Sequence, residues 1–324
     1  MSTKDELLNV LNKSKGKYLS GEELATQLNV SRTAIWKAIK QLQSDGFEID
    51  AVTNKGYSLA KDTDIVTIDG IKEYLNDESK KLDINVVSCV GSTNTILKEL
   101  NINETKDGYV LIANEQTAGR GRRGRSFFSP KGTGVYMSIL LKPERFVADK
   151  AIKITTMAAS AMCKAITTVS DVEPRIKWVN DIFVNGKKTC GILTEASFDL
   201  ETGFLDYAIL GIGVNMYMPK EGFPDDIKDI AGSVFNEKVD GLKNKLLANF
   251  INYFMEYYHS TNNSKYISIY KEYSLAIGRN VNVICNGNVR KAFVDGIDDE
   301  CRLLVTFEDG SKDVLSYGEI SIKL

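Results

Sequence analysis

The stretch GRGRRGRSFFSPKGTG, residues 119–134, decides which class of fold this sequence can adopt. Its glycines match the GxGxxG pattern of dinucleotide-binding folds and nearly match the GxxxxGKS/T pattern of P-loop folds. Both patterns require a helix directly after the glycines, because the N-terminus of that helix binds phosphate. The run that follows, Gly134–Leu141, is apolar and predicts a strand. The order strand, loop, strand therefore excludes both folds and indicates a mixed α/β domain.

The loop itself is strongly cationic. Residues 119–131 contain five Arg and Lys residues and no acidic residue. Guanidinium groups bind carboxylates and phosphates through paired hydrogen bonds, so several arginines suit a substrate that brings these two groups together. We expect the loop to be disordered when empty and to close over an anion. The alternative is a nucleic-acid patch, which is disfavoured because the surrounding α/β segment does not interleave aromatic residues with the cations.

A central α/β domain, residues 83–273, extends on both sides of this loop. Hydrophobic patterning predicts strands at Ile84–Cys89, Tyr109–Asn114, Gly134–Leu141, Arg175–Trp178, Ile182–Val184, Cys190–Phe198 and Phe204–Gly211. It predicts helices at Asn94–Leu100, Asp149–Val169 and Leu242–Tyr258. A second charged cluster, residues 177–181 and 187–193, brackets a hairpin at Asn185-Gly186. Taken alone, that cluster is either a surface ion pair or part of a site.

Residues 1–62 predict an N-terminal winged helix-turn-helix domain, with three helices followed by a hairpin. The second helix of the motif, Ser31–Ser44, has one apolar face, and its other face carries cations and no acid. We expect this helix to enter the major groove of double-stranded DNA and the hairpin tip to reach the backbone. The candidate DNA-binding residues are Ser31, Arg32, Thr33, Lys37, Lys40 and Lys55. The alternative is an ordinary solvated helix face. Trp36 is predicted to border the core, because it adjoins Ile35.

Two further segments complete an α+β multidomain organisation. Residues 63–82 predict a polar linker with one short helix. Residues 274–324 predict a small five-stranded β-barrel, because the turns at 285–288 and 308–311 contain the glycine that tight hairpins need.

Composition excludes several classes of protein. Among 324 residues there is no uncharged apolar run long enough to span a membrane, and the N-terminus lacks a secretory signal, so we expect a cytoplasmic protein. Five irregularly spaced cysteines predict neither a disulfide framework nor a CxxC zinc site. A single histidine, His259, excludes multi-histidine metal sites and is expected to be a surface or packing residue. The net charge of −2 means that any polyanion must bind to a local cluster.

Five motifs in one order carry a resemblance to a known family. They are GSTN (91–94), EQTAGRGRRGR (115–125), KWVND (177–181), KKTCGIL (187–193) and GIGVN (211–215). With a winged helix in front, the chain resembles the biotin protein ligases, and in particular the bifunctional members that also repress the biotin operon. The resemblance covers essentially the whole chain and implies a class II synthetase-like ligase domain followed by an SH3-like barrel. This sequence departs from the family at Val179, where Pro is common, and near Phe127, where Trp is common.

The resemblance implies a reaction in two steps. The biotin carboxylate is joined to the α-phosphate of ATP with release of pyrophosphate, and biotin then passes from biotinoyl-5'-AMP to a lysine of the biotin carboxyl carrier protein of acetyl-CoA carboxylase. It implies Mg²⁺ on the ATP phosphates, because one anion must approach another. The implied catalytic residues are Lys188, Arg122 and Asp181, with Asp181 orienting the reacting groups or accepting the proton of the incoming amine.

The resemblance also implies two sets of binding residues. The biotin-binding set is Ser92, Thr93, Asn94, Gln116, Arg120, Gly121, Arg122, Lys188 and Gly191. The ATP-binding set is Arg122, Arg125, Lys177, Trp178, Asn180, Asp181 and Asn215. Residues 92–94 and Gln116 can supply the donors and acceptors that the ureido ring of biotin needs.

The resemblance also implies regulation. Biotinoyl-5'-AMP would act as corepressor, so that the loaded protein would form a homodimer on a two-fold operator and repress genes of biotin synthesis and transport.

Three alternative functions are considered. A repressor that only senses a small anion would leave Lys188 and Asp181 without a role. A lipoate ligase with a related core would be distinguished by turnover with lipoate. A nucleic-acid enzyme would require strong DNA binding without residues 1–65.

Overall fold

The computed structural model describes residues 2–44, 47–61, 64–100, 102–143, 151–199, 201, 203–285, 288–316 and 319–321. Within them the chain forms an N-terminal helical unit with a hairpin, a central seven-stranded sheet with helices, and a C-terminal five-stranded sheet. No helix in these ranges is both long and apolar enough to cross a membrane.

The N-terminal unit has the predicted winged helix-turn-helix arrangement. It consists of α1 (Thr3–Lys13), α2 (Gly21–Gln27), α3 (Arg32–Ser44), β1 (Ile49–Val52) and β2 (Gly56–Leu59). Ser2 and Ser20 cap the first two helices in capping boxes, and the Ser31 hydroxyl accepts from the Ala34 N–H at 3.2 Å. Leu7, Leu24 and Ile35 meet in a core separate from that of the central domain, and Ile65 of the following segment joins it.

The prediction that Trp36 borders the core is wrong. Its side chain is 52% exposed, although its neighbour Ile35 is completely buried. One step along an α-helix turns the side chain by about 100°, so a neighbour of a buried residue can face solvent. Trp36 lines a groove between α3 and the β1–β2 hairpin, together with Arg32, Thr33 and Asn54.

The central sheet is mixed and mostly antiparallel. The strands are β3 (Ile84–Val87), β4 (Tyr109–Ala113), β5 (Gly134–Leu141), β6 (Arg175–Lys177), β7 (Asp181–Val184), β8 (Lys187–Phe198) and β9 (Leu205–Asn215), in the order β3-β4-β5-β9-β8-β7-β6. The helices are α4 (Ile68–Lys72), α5 (Thr93–Glu99), α6 (Ala151–Val169), α7 (Leu242–His259) and α8 (Ser264–Glu272). Only β3 and β4 pair in parallel among the described strands. Leu97 of α5 packs on Leu111, Leu140 and Ile209, whereas α6 and α7 belong to the main core.

Several element boundaries differ from the predictions. Strand β9 continues through Gly211 and Gly213 to Asn215, because neighbouring side chains occupy the space beside these glycines. Strand β8 begins at Lys187 rather than Cys190. Helix α8 has no counterpart among the predicted helices, although its residues Tyr266, Ile267, Ile269 and Tyr270 are buried. The start of the helix predicted from Asp149 lies outside the described residues, and α6 is described from Ala151.

The C-terminal module is all β, as predicted. It comprises β10 (Asn280–Cys285), β11 (Asn288–Ile297), β12 (Leu303–Phe307), β13 (Lys312–Leu315) and β14 (Glu319–Ser321), in the antiparallel order β13-β12-β11-β10-β14. Gly310 has φ +82° in the second predicted turn, whereas Asn286 and Gly287 of the first lie outside the described residues. The module joins the main core, and the Trp178 indole donates to the Cys301 carbonyl at 3.0 Å.

A buried polar junction connects the segment after the hairpin to the central domain. The Tyr217 hydroxyl donates to Asp64 Oδ2 at 2.6 Å, and the Lys243 N–H donates to the same oxygen at 3.0 Å. The Lys243 ammonium donates to the Gly132 carbonyl at 2.9 Å, just beyond the cationic loop. Part of the predicted linker therefore docks on α7, and Lys243 of α7 in turn contacts the end of that loop.

The described cysteine side chains are not joined in disulfides, and the histidine lies at the surface. Cys89, Cys163, Cys190 and Cys301, the cysteines whose side chains the structure describes, are free thiols. His259 is exposed at the end of α7, beside the Tyr258 ring.

Candidate active site

One cavity gathers the predicted ligase residues. It encloses about 980 Å³, including its open mouth, and lies over β8 and β9 beneath the cationic loop. The predicted residues in its wall are Ser92, Thr93, Asn94, Gln116, Arg120, Gly121, Arg122, Arg125, Lys177, Trp178, Asn180, Asp181, Lys188 and Gly191. Separate segments of the chain supply them, and Ile320 of the C-terminal module adds an apolar contact.

A hydrogen-bonded set of polar side chains forms one end of the cavity. Gln116 Oε1 accepts from the Thr93 N–H at 2.8 Å and from the Thr93 hydroxyl at 3.1 Å. Gln116 Nε2 donates to Ser129 Oγ at 3.1 Å. Behind them, the fully buried Ser138 hydroxyl lies 2.7 Å from Thr93 Oγ1 and 2.6 Å from Asn94 Oδ1. This end can recognise a small polar ring through fixed donors and acceptors.

Glycines on β8 and β9 make the space for this end. Gly191 and Gly213 are cross-strand partners beneath the Phe127 ring. A Cβ at Gly213 would lie 2.4 Å from that ring, and a Cβ at Gly211 would lie 2.2 Å from Asn94 Oδ1. Any larger residue would displace Phe127 or Asn94, so these glycines set the depth of the cavity.

The cationic loop folds back on itself over the cavity. The Gly121 N–H donates to the Arg125 carbonyl at 2.7 Å, and the Phe127 N–H donates to the Gly119 carbonyl at 2.9 Å. Between them Arg123 has φ +55° and Gly124 φ +74°, which gives a tight reversal. The Arg122 guanidinium reaches across and donates to Asn180 Oδ1 at 2.8 Å. The loop is thereby tied to the opposite wall.

An ion pair forms the other end of the cavity. Lys188 Nζ lies 2.7 Å from Asp181 Oδ1, and both side chains are partly buried, at 31% and 23% exposure. The β7–β8 hairpin produces this contact, because a register shift after Ile182 places Lys188 opposite Phe183. Lys177 lies over the Phe183 ring, with 5.7 Å from Nζ to the centroid.

Hydrogen bonds to neighbouring segments fix the residues around the ion pair. The Lys188 N–H donates to the Ile230 carbonyl at 2.8 Å, which fixes the backbone of Lys188. Asn180 donates from Nδ2 to the Ile192 carbonyl at 2.9 Å. Asn215, predicted to bind ATP, lies behind the cavity wall and donates to the Gly232 carbonyl at 3.1 Å. It therefore contacts the segment that supports Lys188 and not the cavity itself.

Sequence reasoning missed several residues of this region. Glu195, on β8, accepts from Asn94 Nδ2 at 2.8 Å and pairs with Lys98 at 2.7 Å. Ser138 and the β9 glycines Gly211 and Gly213 were also missed as functional positions, whereas Gly191 of β8 was predicted. A glycine inside a strand indicates that another group approaches the backbone closely, but the sequence does not show which group this is. Nothing local distinguishes Glu195 from a solvated acid on a strand.

The predicted DNA-binding residues form a separate exposed surface. Arg32, Thr33, Lys37 and Lys40 are exposed on α3, and Lys55 is exposed at the tip of the hairpin. Arg32 lies 3.5 Å from Glu22, and Lys55 lies over the Tyr18 ring. Ser31 is the exposed cap at the start of α3. This surface has the arrangement that a winged helix presents to the major groove and the adjacent backbone.

Comparisons with known proteins agree with this architecture. Residues 86–215 match the Biotin/lipoate A/B protein ligase family, residues 3–58 match an HTH domain, and residues 276–323 match the Biotin protein ligase C terminal domain. The solved structure of biotin protein ligase from Aquifex aeolicus in complex with biotin and ATP superposes with a TM-score of 0.60 at 24% identity, over 74% of this chain and 97% of that chain. This likeness shows a shared fold.

Sequence relatives cover the chain from end to end. The bifunctional ligase/repressor BirA of Bacillus subtilis is 34% identical over 317 residues, which is 96% of each protein. The bifunctional ligase/repressor BirA of Escherichia coli is 30% identical over 314 residues, which is 96% of this chain and 94% of the relative. The chain therefore belongs to the family of the bifunctional ligase/repressor BirA, within the biotin protein ligases.

Proposed function

We propose that this protein is an ATP-dependent biotin protein ligase and a DNA-binding repressor. As a ligase it forms biotinoyl-5'-AMP and transfers biotin to a lysine of the biotin carboxyl carrier protein of acetyl-CoA carboxylase. The observation that carries the proposal is one cavity with a neutral, hydrogen-bonding end at Thr93 and Gln116 and a cationic end at Arg122 and Lys188. Biotin has the matching polarity, with a neutral ureido ring and a carboxylate joined by an apolar chain.

Biotin would lie with its ring against residues 92–94 and Gln116 and its chain over the glycines of β8 and β9. Gly191 leaves room for that chain between β8 and the Phe127 ring. Its carboxylate would then reach Arg120, Gly121, Arg122 and Lys188, which line the same cavity. Charged donors favour the carboxylate end, and neutral amides and hydroxyls favour the ring end.

ATP would occupy the half of the cavity beside Trp178 and Lys177. Arg122, Arg125, Asn180 and Asp181 line this half and can contact phosphate or ribose. Asn215 would contribute indirectly, by holding the Gly232 carbonyl and thus the segment beside Lys188. Both substrates would then meet between Arg122 and Lys188.

The first chemical step needs positive charge where the two anions meet. An oxygen of the biotin carboxylate attacks the α-phosphorus of ATP, and the bond to pyrophosphate breaks. Lys188 and Arg122 would stabilise the negative charge that builds up on the pentavalent phosphoryl group. Asp181 would hold the Lys188 ammonium in place through the 2.7 Å contact.

The second step joins biotin to the carrier. The amine of the carrier lysine attacks the acyl carbon of the adenylate, AMP leaves with the bond electrons, and the amine loses a proton. Asp181 would orient this amine and accept its proton. The adenylate is a mixed anhydride that water hydrolyses, so a loop tied across the cavity by Arg122 and Asn180 would protect it.

The residues fit a Mg²⁺ that arrives on ATP. No cluster of three or more acidic, cysteine or histidine side chains that could hold a metal occurs in the described parts of the chain. Mg²⁺ at nucleotide sites is commonly held by one carboxylate, waters and the phosphates themselves. Asp181 is the carboxylate in the cavity wall that could supply that ligand, and the ion would neutralise phosphate charge.

As a repressor the protein would bind operator DNA through α3 and the hairpin. Ser31, Arg32, Thr33, Lys37 and Lys40 would contact bases or phosphates in the major groove, and Lys55 would contact the adjacent backbone. Their exposure on one face supports this assignment. The corepressor would be biotinoyl-5'-AMP, the product that the first step of the ligase reaction forms in the cavity beneath the loop.

The loaded protein would bind DNA as a homodimer. Strand β7 pairs with β8 only from Lys187 to Gly191, so beyond Ile192 one edge of β8 has no partner strand within the described residues. Such an edge can pair with a second copy. A monomer–dimer constant that biotin and ATP leave unchanged in sedimentation would contradict this part of the proposal.

Pyrophosphate release from Mg-ATP tests the ligase proposal. We expect release to depend on biotin, to fail with lipoate or octanoate, and to fall in Lys188→Ala and Arg122→Gly. Release with lipoate would instead favour a lipoate ligase. Biotin binding without any release would reduce the protein to a sensor that represses transcription.

A further inference from the structure

One carboxylate outside the predicted site touches two of its walls. Glu195 lies on β8 with its side chain 20% exposed. Its Oε2 accepts from Asn94 Nδ2 at 2.8 Å, and its Oε1 accepts from Lys98 Nζ at 2.7 Å. Arg120 of the cationic loop lies 3.6 Å from Oε1. Glu195 therefore contacts the start of α5 and the loop that covers the cavity.

Asn94 connects Glu195 to the polar end of the cavity. It is 3% exposed, and a Cβ at Gly211 would clash with its Oδ1, so the amide occupies a closely bounded space. Because Nδ2 faces Glu195, Oδ1 faces Ser138, whose hydroxyl donates to it at 2.6 Å. The direction of one hydrogen bond thus fixes the direction of the next.

The chain of hydrogen bonds continues to the loop. Ser138 shares its single hydroxyl proton between Asn94 Oδ1 and Thr93 Oγ1, which lies 2.7 Å away, and the Thr93 hydroxyl donates to Gln116 Oε1 at 3.1 Å. Gln116 Nε2 donates to Ser129 Oγ, and the Ser129 hydroxyl donates to the Phe127 carbonyl at 2.8 Å. The groups at the two ends, the Glu195 carboxylate and the Phe127 carbonyl, can only accept. The Thr93 N–H also donates to Gln116 Oε1 at 2.8 Å and orients Gln116 by itself, so the contact with Glu195 decides the orientation of Asn94 and of the Ser138 hydroxyl.

Glu195 is ionised at neutral pH. Burial by itself would raise its pKa, but hydrogen bonds from Lys98 and Asn94, with the charges of Lys98 and Arg120, lower the pKa below its usual value. A carboxylate cannot donate, so a flipped Asn94 amide would place its oxygen against Oε2 and its NH2 against Ser138. That arrangement would lose the hydrogen bond to Glu195 and set two acceptors face to face in a nearly buried site.

We propose that Glu195 is a positioning residue for biotin: by accepting from Asn94 it sets the direction in which the Asn94 amide, and with it the Ser138 hydroxyl, points at the ring end of the cavity. This inference rests on the proposed function, since it takes biotin as the ligand of that end. A ureido ring presents two N–H donors and one carbonyl acceptor, so it distinguishes the two possible directions. Glu195 would touch biotin only through Asn94.

The competing role for Glu195 is a surface ion pair with Lys98 that stabilises α5. Exposed ion pairs contribute little, and this one would then be dispensable for biotin. The variant Lys98→Gln removes the same ion pair and leaves Asn94 facing a carboxylate. It is the matched control for Glu195→Gln, in which the new amide must turn an NH2 towards Asn94 or towards the Lys98 ammonium.

The test compares four variants with wild type in steady-state pyrophosphate release, with biotin dissociation constants from calorimetry and melting temperatures beside them. We expect Glu195→Gln to raise the biotin KM about tenfold, with the ATP KM and kcat little changed, and Lys98→Gln to behave as wild type. Asn94→Asp should bind biotin far more weakly, because two carboxylates then face each other.

The double variant Asn94→Asp with Glu195→Gln is the decisive one. Its new amide on β8 donates to the new carboxylate on α5 and accepts from Lys98, and an acceptor again faces Ser138. We expect it to bind biotin at least about tenfold more tightly than Asn94→Asp alone. A biotin affinity no better than that of Asn94→Asp would overturn the proposal, as would equal effects of Glu195→Gln and Lys98→Gln.

The calorimetric readout keeps this inference separate from the ligase proposal. Wild type that binds biotin without releasing pyrophosphate would contradict the proposed ligase activity, while the variants would still rank by biotin affinity. Wild type that does not bind biotin at all would overturn both.

Discussion

Lys188 Nζ lies 2.7 Å from Asp181 Oδ1 at the end of the cavity where the cationic loop meets the β7–β8 hairpin. The ammonium is thereby held on one side while its remaining donors can face an anion. Pairing also compensates each charge for its partial burial. The contact explains how a lysine with a long, flexible side chain can keep a fixed position in the cavity wall.

Replacement of Lys188 should slow adenylate formation more than it weakens biotin binding. A donor that acts mainly in the transition state contributes about 3 kcal/mol, so Lys188→Ala should lower the single-turnover rate by about two orders of magnitude. Rapid-quench measurement of biotinoyl-5'-AMP checks this. Lys187→Ala is the matched control, because Lys187 donates to the Asp229 carbonyl and is absent from the cavity wall. Equal loss in both variants would contradict the assignment.

A side chain at Gly213 should abolish the space for biotin. The Cβ of Gly213→Ala would lie 2.4 Å from the Phe127 ring, so either the ring or strand β9 must move. We expect the biotin dissociation constant to rise by about two orders of magnitude, as for a blocked apolar pocket. Gly296→Ala is the control within another strand, where the nearest atom lies 3.9 Å away. Unchanged calorimetric affinity in Gly213→Ala would place biotin elsewhere.

The exposed Trp36 should contribute to DNA binding without affecting the ligase. It lines the groove between α3 and the hairpin, together with Arg32 and Asn54. For a DNA duplex selected with the wild-type protein, Trp36→Ala should lower the affinity about tenfold. Lys37→Ala should lower the number of counterions released on DNA binding by about one. Fluorescence anisotropy at several salt concentrations measures both effects. Lys72→Ala, exposed outside the winged helix, should change neither. Loss of biotin-dependent pyrophosphate release in Trp36→Ala would show that the effect is not local.

The buried Lys243 should make stability depend on pH in the alkaline range. Burial lowers its pKa from 10.5 to about 8, against the opposing charge of Asp64. Between these values the unfolded chain binds more protons than the folded one, so this residue favours the folded state increasingly as pH rises from 8 to 10.5. Thermal unfolding at several pH values should show the stability of wild type rising relative to Lys243→Met across this window. Parallel curves for the two proteins would contradict the shifted pKa.

Much of the fold follows from local sequence patterns. The strand after the glycine-rich loop is predictable because Gly134–Leu141 is apolar almost throughout, and all eight of its residues are buried. The winged helix is predictable because cap residues and a 3.6-residue period mark its helices. The prediction for Trp36 is wrong because adjacency to a buried residue does not imply burial in an α-helix.

The candidate site is predictable as motifs but not as geometry. The order of the motifs indicates which segments meet, whereas Asn94 and Glu195 are 101 positions apart, and no local feature joins them. The contacts of Ser138 are equally invisible in the local sequence. It is a lone hydroxyl in an apolar strand, and its hydrogen-bond partners come from α5. The predicted end of β9 falls too early because interior glycines weaken a strand locally, and the compensating contacts with Phe127 and Asn94 are long-range.

The most direct measurement of the central claim is mass spectrometry of the complete reaction. Purified protein is incubated with Mg-ATP and biotin, and a carrier domain with one acceptor lysine is then added. We predict biotinoyl-5'-AMP on the protein before addition and, afterwards, biotin on that lysine with release of AMP, with neither product in Lys188→Ala on the same time scale. Biotinylated carrier without ATP, or no adenylate with wild type under any of these conditions, would contradict the assignment of this cavity as the site of ligation.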